Sequence, residues 1–196
     1  MDITEIIRQK KNDLQKQKCS FTSISTCEND IAAKYGSVKE IMLANTPAMQ
    51  MQIGDDEDLC HFGDFPTLFD LKNGYQGRTD IAWLMIQITD LSEYCGCKWK
   101  LTSQQIEQCA AVICGQFGWL KITEIMRFCW LFKAGKYGKF YGNVDPMVIT
   151  TALRTFIRDR ADIIDHHESE INFAKIREGA KDGISYDEYL KLKGKQ

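Results

Sequence analysis

Residues 102–117 read Thr-Ser-Gln-Gln-Ile-Glu-Gln-Cys-Ala-Ala-Val-Ile-Cys-Gly-Gln-Phe, and their pattern decides the fold class. Thr102 can accept a hydrogen bond from the backbone of Gln105 while the Gln105 side chain reaches back, the reciprocal start signal of a helix. Behind it, Ile106, Cys109, Ala110, Ile113 and Phe117 fall on one helical face, and Gly118 supplies a stop. Downstream, Thr123 is the expected cap of a further helix, with Ile125, Met126, Phe128, Cys129, Trp130 and Phe132 turned inward and Gly135 after it. Asp145-Pro146 opens the next, an N-cap followed by proline in the first turn. Its apolar stripe of Ile149, Leu153, Phe156, Ile157, Ile163 and Ile164 gives way to polar sequence from Asp165, where fraying or bending is expected. Upstream, Ile81, Leu84, Met85, Ile88 and Leu91 form another stripe, widened by Trp83 and Ile86 and closed at Gly96.

These patterns predict an all-α protein with a core of about four helices at 80–95, 102–117, 123–134 and 146–165, joined by short connections. The core domain is set at 77–168. A polar helical tail follows at 169–196, with a last short helix expected to begin at Ser185 and use Glu188 as capping partner. Residues 1–76 are expected to form an appendage. It opens with a basic amphipathic helix at 2–18, where Ile3, Ile6, Ile7 and Leu14 sit among Arg8, Lys10, Lys11, Lys16 and Lys18. Ser37 and Glu40 make a second capping box, and Pro47 is expected to break or kink the helix they open. Residues 53–70 carry Asp55, Asp56, Glu57, Asp58, Asp64 and Asp70 without a lysine or arginine, and they include Gly54, Gly63 and Pro66. A loop or boundary is expected there.

The composition fits such a core: of 196 residues, 44% are hydrophobic and 27% charged. No run approaches the roughly 18 apolar residues of a membrane span, and residues 1–18 lack the apolar core of an export signal. The expectation is therefore a cytoplasmic protein without membrane contact, whose eight cysteines are free thiols. The formal net charge of −2 leaves room for nucleic-acid binding only at a local patch.

Catalytic chemistry finds no support. There is no Gly-x-Ser-x-Gly and no glycine-rich phosphate loop. Asp162 and His166 share a helical face, yet no third ligand is spaced to complete a metal site, so a solvated helix end is the better reading. Cys95-Gly96-Cys97 lacks a second pair, and His61 beside Cys60 is its one candidate companion. The acids at 55–58 lack the fixed, partly buried setting that tunes a general acid. Neither an enzyme, a cofactor, a metal nor a small-molecule substrate is expected.

The most informative stretch is Lys133-Ala-Gly-Lys-Tyr-Gly-Lys-Phe-Tyr-Gly at 133–142, three lysines interleaved with three aromatics and three glycines. Over 121–142, Lys121, Arg127, Lys133, Lys136 and Lys139 face the single acid Glu124. Two readings stand side by side. Arg127, Lys133, Lys136 and Lys139 neutralise phosphates while Tyr137 or Tyr141 stacks on a base. Alternatively, Tyr137, Phe140 and Tyr141 plug the core and the lysines snorkel around them.

Five features between 101 and 160 carry a resemblance: Thr102 with Gln105; Trp119-Leu-Lys-Ile-Thr-Glu124; the 133–142 run; Val144-Asp145-Pro146; and Phe156 to Arg160. In these the chain resembles uncharacterised proteins of bacteriophages and conjugative mobile elements. In layout it is similar to small helical phage replication factors, helicase loaders included. The resemblance implies a non-enzymatic accessory factor acting on nucleic acid or on a replication protein. The alternative is a protein-interaction protein, either a host-factor inhibitor or a virion component, with a host or phage protein as partner. No catalytic residue carries over.

Overall fold

Local capping chemistry sets the helix starts. Ser37 Oγ accepts the Glu40 amide while the Glu40 carboxylate accepts the Ser37 N–H at 2.7 Å. Thr102 and Gln105 repeat the exchange, with the Thr102 N–H donating to Gln105 Oε1 at 2.9 Å. Asp145 Oδ1 accepts the Met147 N–H at 2.8 Å. Each bond satisfies an amide that the first helical turn leaves without a partner.

A computed structural model describes residues 30–181 and 193 of the chain, and its regular structure is helical throughout those residues. The expected helices at 2–18 and after Ser185 lie outside the described residues. After a helical turn at 30–35 come α1 (Val38–Ala44), a 3₁₀ turn (Pro47–Met49), α2 (Gln50–Asp55), α3 (Glu57–Phe62) and α4 (Leu68–Gly74). The larger elements are α5 (Thr79–Tyr94), α6 (Ser103–Phe117), α7 (Ile122–Lys133) and α8 (Pro146–Lys181). The all-α expectation holds.

The chain divides into two compact units, Met1–Arg154 and Thr155–Gln196. In the first, α5 packs on α6 and α7, and α2 lies along α7. Trp83, Leu84, Leu91, Ile113, Ile125 and Met126 are among its buried apolar side chains. Each contributes on the order of 1.5–3 kcal/mol by leaving water. In the second, residues 155–181 continue as helix through and beyond Asp165. Ser169 Oγ bonds the Asp165 carbonyl at 2.7 Å, and Ile171, Phe173 and Ile176 are exposed.

Two expectations change. Residues 30–74, read as part of an appendage, supply core: Ile41, Cys60, Leu68 and Leu71 are buried there. The acidic 53–70 stretch, read as a loop, is largely helical. Four of its six acids occupy positions where a helix welcomes negative charge. Asp56 caps α3 by accepting the Leu59 N–H at 2.8 Å, and Glu57 and Asp58 lie in that helix's first turn. Asp70 completes a capping box with Thr67.

Buried polar groups tie these short helices to the rest. The Asn45 carbonyl accepts both Trp83 Nε1 and Gln87 Nε2 at 2.9 Å, and Gln50 Nε2 donates to Gln87 Oε1 at 2.6 Å. Chain 66–69 is laced to 118–122 by bonds from Leu68 N to the Leu120 carbonyl (3.0 Å), Phe69 N to Gly118 (2.7 Å) and Ile122 N to Pro66 (3.0 Å). The start of α7 also departs from expectation. Its N-cap is Lys121, whose N–H donates to the Glu124 carboxylate at 3.0 Å. Thr123 sits two residues past the cap, where its buried hydroxyl donates to the Cys60 carbonyl at 2.9 Å.

Candidate nucleic-acid interface

The helix ends at Tyr94 and Lys133 launch two loops that meet. At the end of α7, the Gly135 N–H reaches the Phe132 carbonyl (2.9 Å) and the Lys136 N–H the Leu131 carbonyl (3.0 Å), a Schellman closure that needs glycine's positive φ at Gly135. The chain then turns back so that the Val144 N–H donates to the Trp99 carbonyl at 2.9 Å. Asn143 forms bridge pairs with both Trp99 and Tyr141. Residues 94–100 and 133–143 therefore share one surface. Together they hold Lys98, Lys100, Lys133, Lys136 and Lys139 and no acid.

The six residues singled out from the sequence separate into two groups. Arg127 is engaged inside the fold: it donates to the Gly54 carbonyl at 2.7 Å, pairs with Glu57, and its side chain is 11% exposed. Lys133 pairs with Asp90 on α5, is 12% exposed, and holds its Nζ 5.3 Å from the centre of the Tyr94 ring. Tyr137 is half-buried, its ring 5.9 Å from that of Phe128 and tilted by 31°. Phe140 approaches Phe132 in the same way at 5.4 Å. These two aromatics follow the core-plug reading.

Lys136, Lys139 and Tyr141 face solvent, with Tyr141 79% exposed. Lys136 Nζ lies 5.4 Å from the Tyr137 ring centre and Lys139 Nζ 5.6 Å from that of Tyr141. Both separations fall within cation–π reach.

Four residues escaped the sequence reading. Trp99 is 66% exposed with Lys98 Nζ 5.3 Å from its ring centre, Lys100 follows it, and Tyr94 is 62% exposed at the end of α5. The signal was available, since Lys98-Trp99-Lys100 repeats the alternation of cation and ring found at 136–141. Tyr94, Cys95, Phe132, Lys133, Lys139 and Phe140 are among the residues lining a cleft of about 310 Å³ within this surface. Burial pushes the Cys95 thiol up to about 11, so near neutral pH it is a protonated, weakly polar part of that lining. Asp90 takes up Lys133 and Glu93 lies 4.0 Å from Lys100. The surface can attract phosphate and offer flat rings beside it.

The tail histidines provide no comparable construction: His166 is exposed and lies 3.9 Å from Glu170 on its own helix. Among the described residues no group of three histidine, cysteine or acidic side chains could hold a metal ion. His61 is enclosed in the fold, Nδ1 2.9 Å from Glu124 Oε1, and both side chains are shut off from solvent.

Residues 100–196 match a protein-family model described as a family of unknown function (DUF6633). The matched stretch includes Lys100 and the 133–143 loop and begins directly after Trp99. No curated protein and no solved structure matches the chain.

Proposed function

We propose that the protein is a non-enzymatic accessory factor of a phage or mobile element that binds nucleic acid through the surface formed by residues 94–100 and 133–143. The observation that carries this reading is the pairing of lysines with solvent-facing rings on two converging loops, Lys98 with Trp99 and Lys139 with Tyr141. Lysines at such a surface release counterions from phosphates, and rings beside them meet bases. The phage or mobile-element setting rests on the resemblance of residues 101–160. No helix among the described residues is long and apolar enough to cross a membrane.

Fluorescence anisotropy with labelled oligonucleotides, titrated against salt, tests the proposal. Lys136→Ala/Lys139→Ala should weaken binding equally for all sequences and lower the salt slope by about 1.4–1.8, the range for two phosphate contacts on single strand or duplex. Its melting temperature should match that of the parent, since both side chains are exposed. If the parent protein binds no nucleic acid at low salt, the protein-interaction reading takes its place.

A further inference from the structure

We infer that this surface selects an unpaired nucleic-acid strand over a duplex, with Trp99 and Tyr141 as platforms for successive bases. The inference rests on the nucleic-acid reading above and assigns its substrate class.

The two rings are set by backbone rather than by chance exposure. Trp99 and Tyr141 each form a bridge pair with Asn143, and Val144 is fixed to the Trp99 carbonyl at 2.9 Å. Bridged backbones lie about 4.8 Å apart, so two such steps hold the Trp99 and Tyr141 backbones within roughly 10 Å. Both side chains nevertheless stay largely in water, 66% and 79% exposed, where a large ring gains little from packing. Each has its own lysine, Lys98 at 5.3 Å and Lys139 at 5.6 Å from the ring centres. A ring with a cation over one face keeps its other face for a base and sets positive charge near that nucleotide's phosphate.

Duplex geometry does not use these features. A duplex keeps its base faces stacked inward and shows a protein only base edges and phosphates. Its major groove admits a helix or a two-stranded ribbon. The two loops project neither, and their rings require a base whose face is uncovered. Lysines alone would serve duplex and single strand similarly, so the rings carry the discrimination.

The test uses the full chain, with oligothymidylate and oligouridylate as unpaired probes and a hairpin duplex of equal nucleotide count as competitor. Tighter binding of an unpaired probe, accompanied by quenching of tryptophan fluorescence, is expected. Trp99→Ala should weaken single-strand binding by roughly 5- to 150-fold, the loss associated with one stacked base. The same change should leave duplex binding and the melting temperature as in the parent. Trp99→Phe should keep most of the affinity while removing most of the quench. Equal affinity for duplex and single strand, unchanged by Trp99→Ala, overturns the inference and leaves the nucleic-acid reading standing. Absence of binding to every probe at low salt overturns both.

Discussion

His61 Nδ1 lies 2.9 Å from Glu124 Oε1, and neither side chain has solvent-exposed surface. The contact joins α3 to the first turn of α7, where Glu124 also accepts the Lys121 N–H at 3.0 Å. The Lys121 ammonium reinforces the joint by donating to the His61 and Gly63 carbonyls, both at 2.8 Å. Glu124→Ala deletes the acceptor that serves both elements and leaves buried hydrogen-bonding groups without it, which should cost about 1–3 kcal/mol. Glu124→Gln retains an oxygen for the Lys121 amide and an amide for the imidazole, so its loss should be clearly smaller. Urea denaturation of both variants checks this, and equal losses would show that carboxylate geometry is irrelevant there.

Close approach of α2 to α7 gives the second prediction. A Cβ added at Gly54 would fall 2.8 Å from Trp130 Cβ and 3.2 Å from Arg127 Cα. Helix propensity alone favours alanine over glycine by about 1 kcal/mol. The clash is with α7 itself, so overpacking should win and Gly54→Ala should destabilise by about 1–3 kcal/mol. Gly115, inside α6 with nothing within 4 Å of its would-be Cβ, is the matched control. Gly115→Ala should stabilise by about 0.5–1 kcal/mol. Two changes of the same sign would refute the packing argument.

The contrast between these glycines marks what was legible in the sequence. Helix starts built from neighbours in the chain, such as Ser37 with Glu40, Thr102 with Gln105 and Asp145 before Pro146, could be read directly because cap and partner lie within three residues. Thr123 has the local pattern of a cap, but its hydroxyl serves the distant Cys60 carbonyl, a use that no local pattern announces. The acids at 55–58 read as a loop by charge density alone, whereas Asp56, Glu57 and Asp58 start a helix. Gly118 does follow α6, but its φ of −58° is right-handed. The Phe69 ring, 2.4 Å from a would-be Cβ, accounts for the missing side chain. At the candidate interface, the 133–142 loop was legible as a cation–aromatic alternation. Its union with Trp99 was not, because it depends on a backbone bond between loops far apart in the sequence.

The thiols yield a third prediction. Burial pushes Cys60, Cys114 and Cys129 up to about 12 and Cys109 up to about 11. A raised value lowers the thiolate population, so at pH 8 only about one part in a thousand or less of these groups is nucleophilic. Peptides bearing these four residues should take up iodoacetamide slowly in the native protein and rapidly after denaturation. All eight cysteines should titrate as free thiols in denatured protein without reductant, and chelators should leave the melting temperature unmoved. Stoichiometric zinc in the purified protein would overturn that.

Acid pH should weaken the first unit through two carboxylates. The Lys34 ammonium at 2.7 Å and the Tyr35 hydroxyl at 3.0 Å hold the Asp64 carboxyl below its ordinary range. The Ser37 N–H and hydroxyl do the same for Glu40. A depressed carboxyl contributes stability above its unfolded value, about 4, and loses that contribution as pH falls through the lower folded value. The melting temperature should therefore hold from neutrality to about pH 5 and decline below about pH 4. Asp64→Asn and Glu40→Gln should each flatten the decline, and an unaltered acid limb in the double variant would remove these two groups from its cause.

The final prediction separates the two tyrosines of the 133–143 loop, which the sequence treats alike. Tyr137 leans on Phe128 at 5.9 Å, and Phe128 is itself buried on α7 and meets Phe132 at the same 5.9 Å. Truncating Tyr137 opens a gap at the end of a packed aromatic row, so Tyr137→Ala should cost about 1–2 kcal/mol. For a chain of this size that lowers the melting temperature by about 4 °C. Tyr141 makes its ring contact with Lys139 and is 79% exposed, so Tyr141→Ala should leave the melt unchanged. Binding should respond in the opposite sense. Tyr141→Ala should weaken single-strand affinity by about 1–3 kcal/mol with little effect on the salt slope, because stacking neutralises no phosphate. Tyr137→Ala, measured well below its melting point, should retain most of the affinity. Lys133→Ala belongs with Tyr137, since it breaks the pair with Asp90 and should reveal itself first in the melt. A Tyr141→Ala protein that melts early yet binds normally would mean that the exposed ring is the structural one and the half-buried ring the ligand contact.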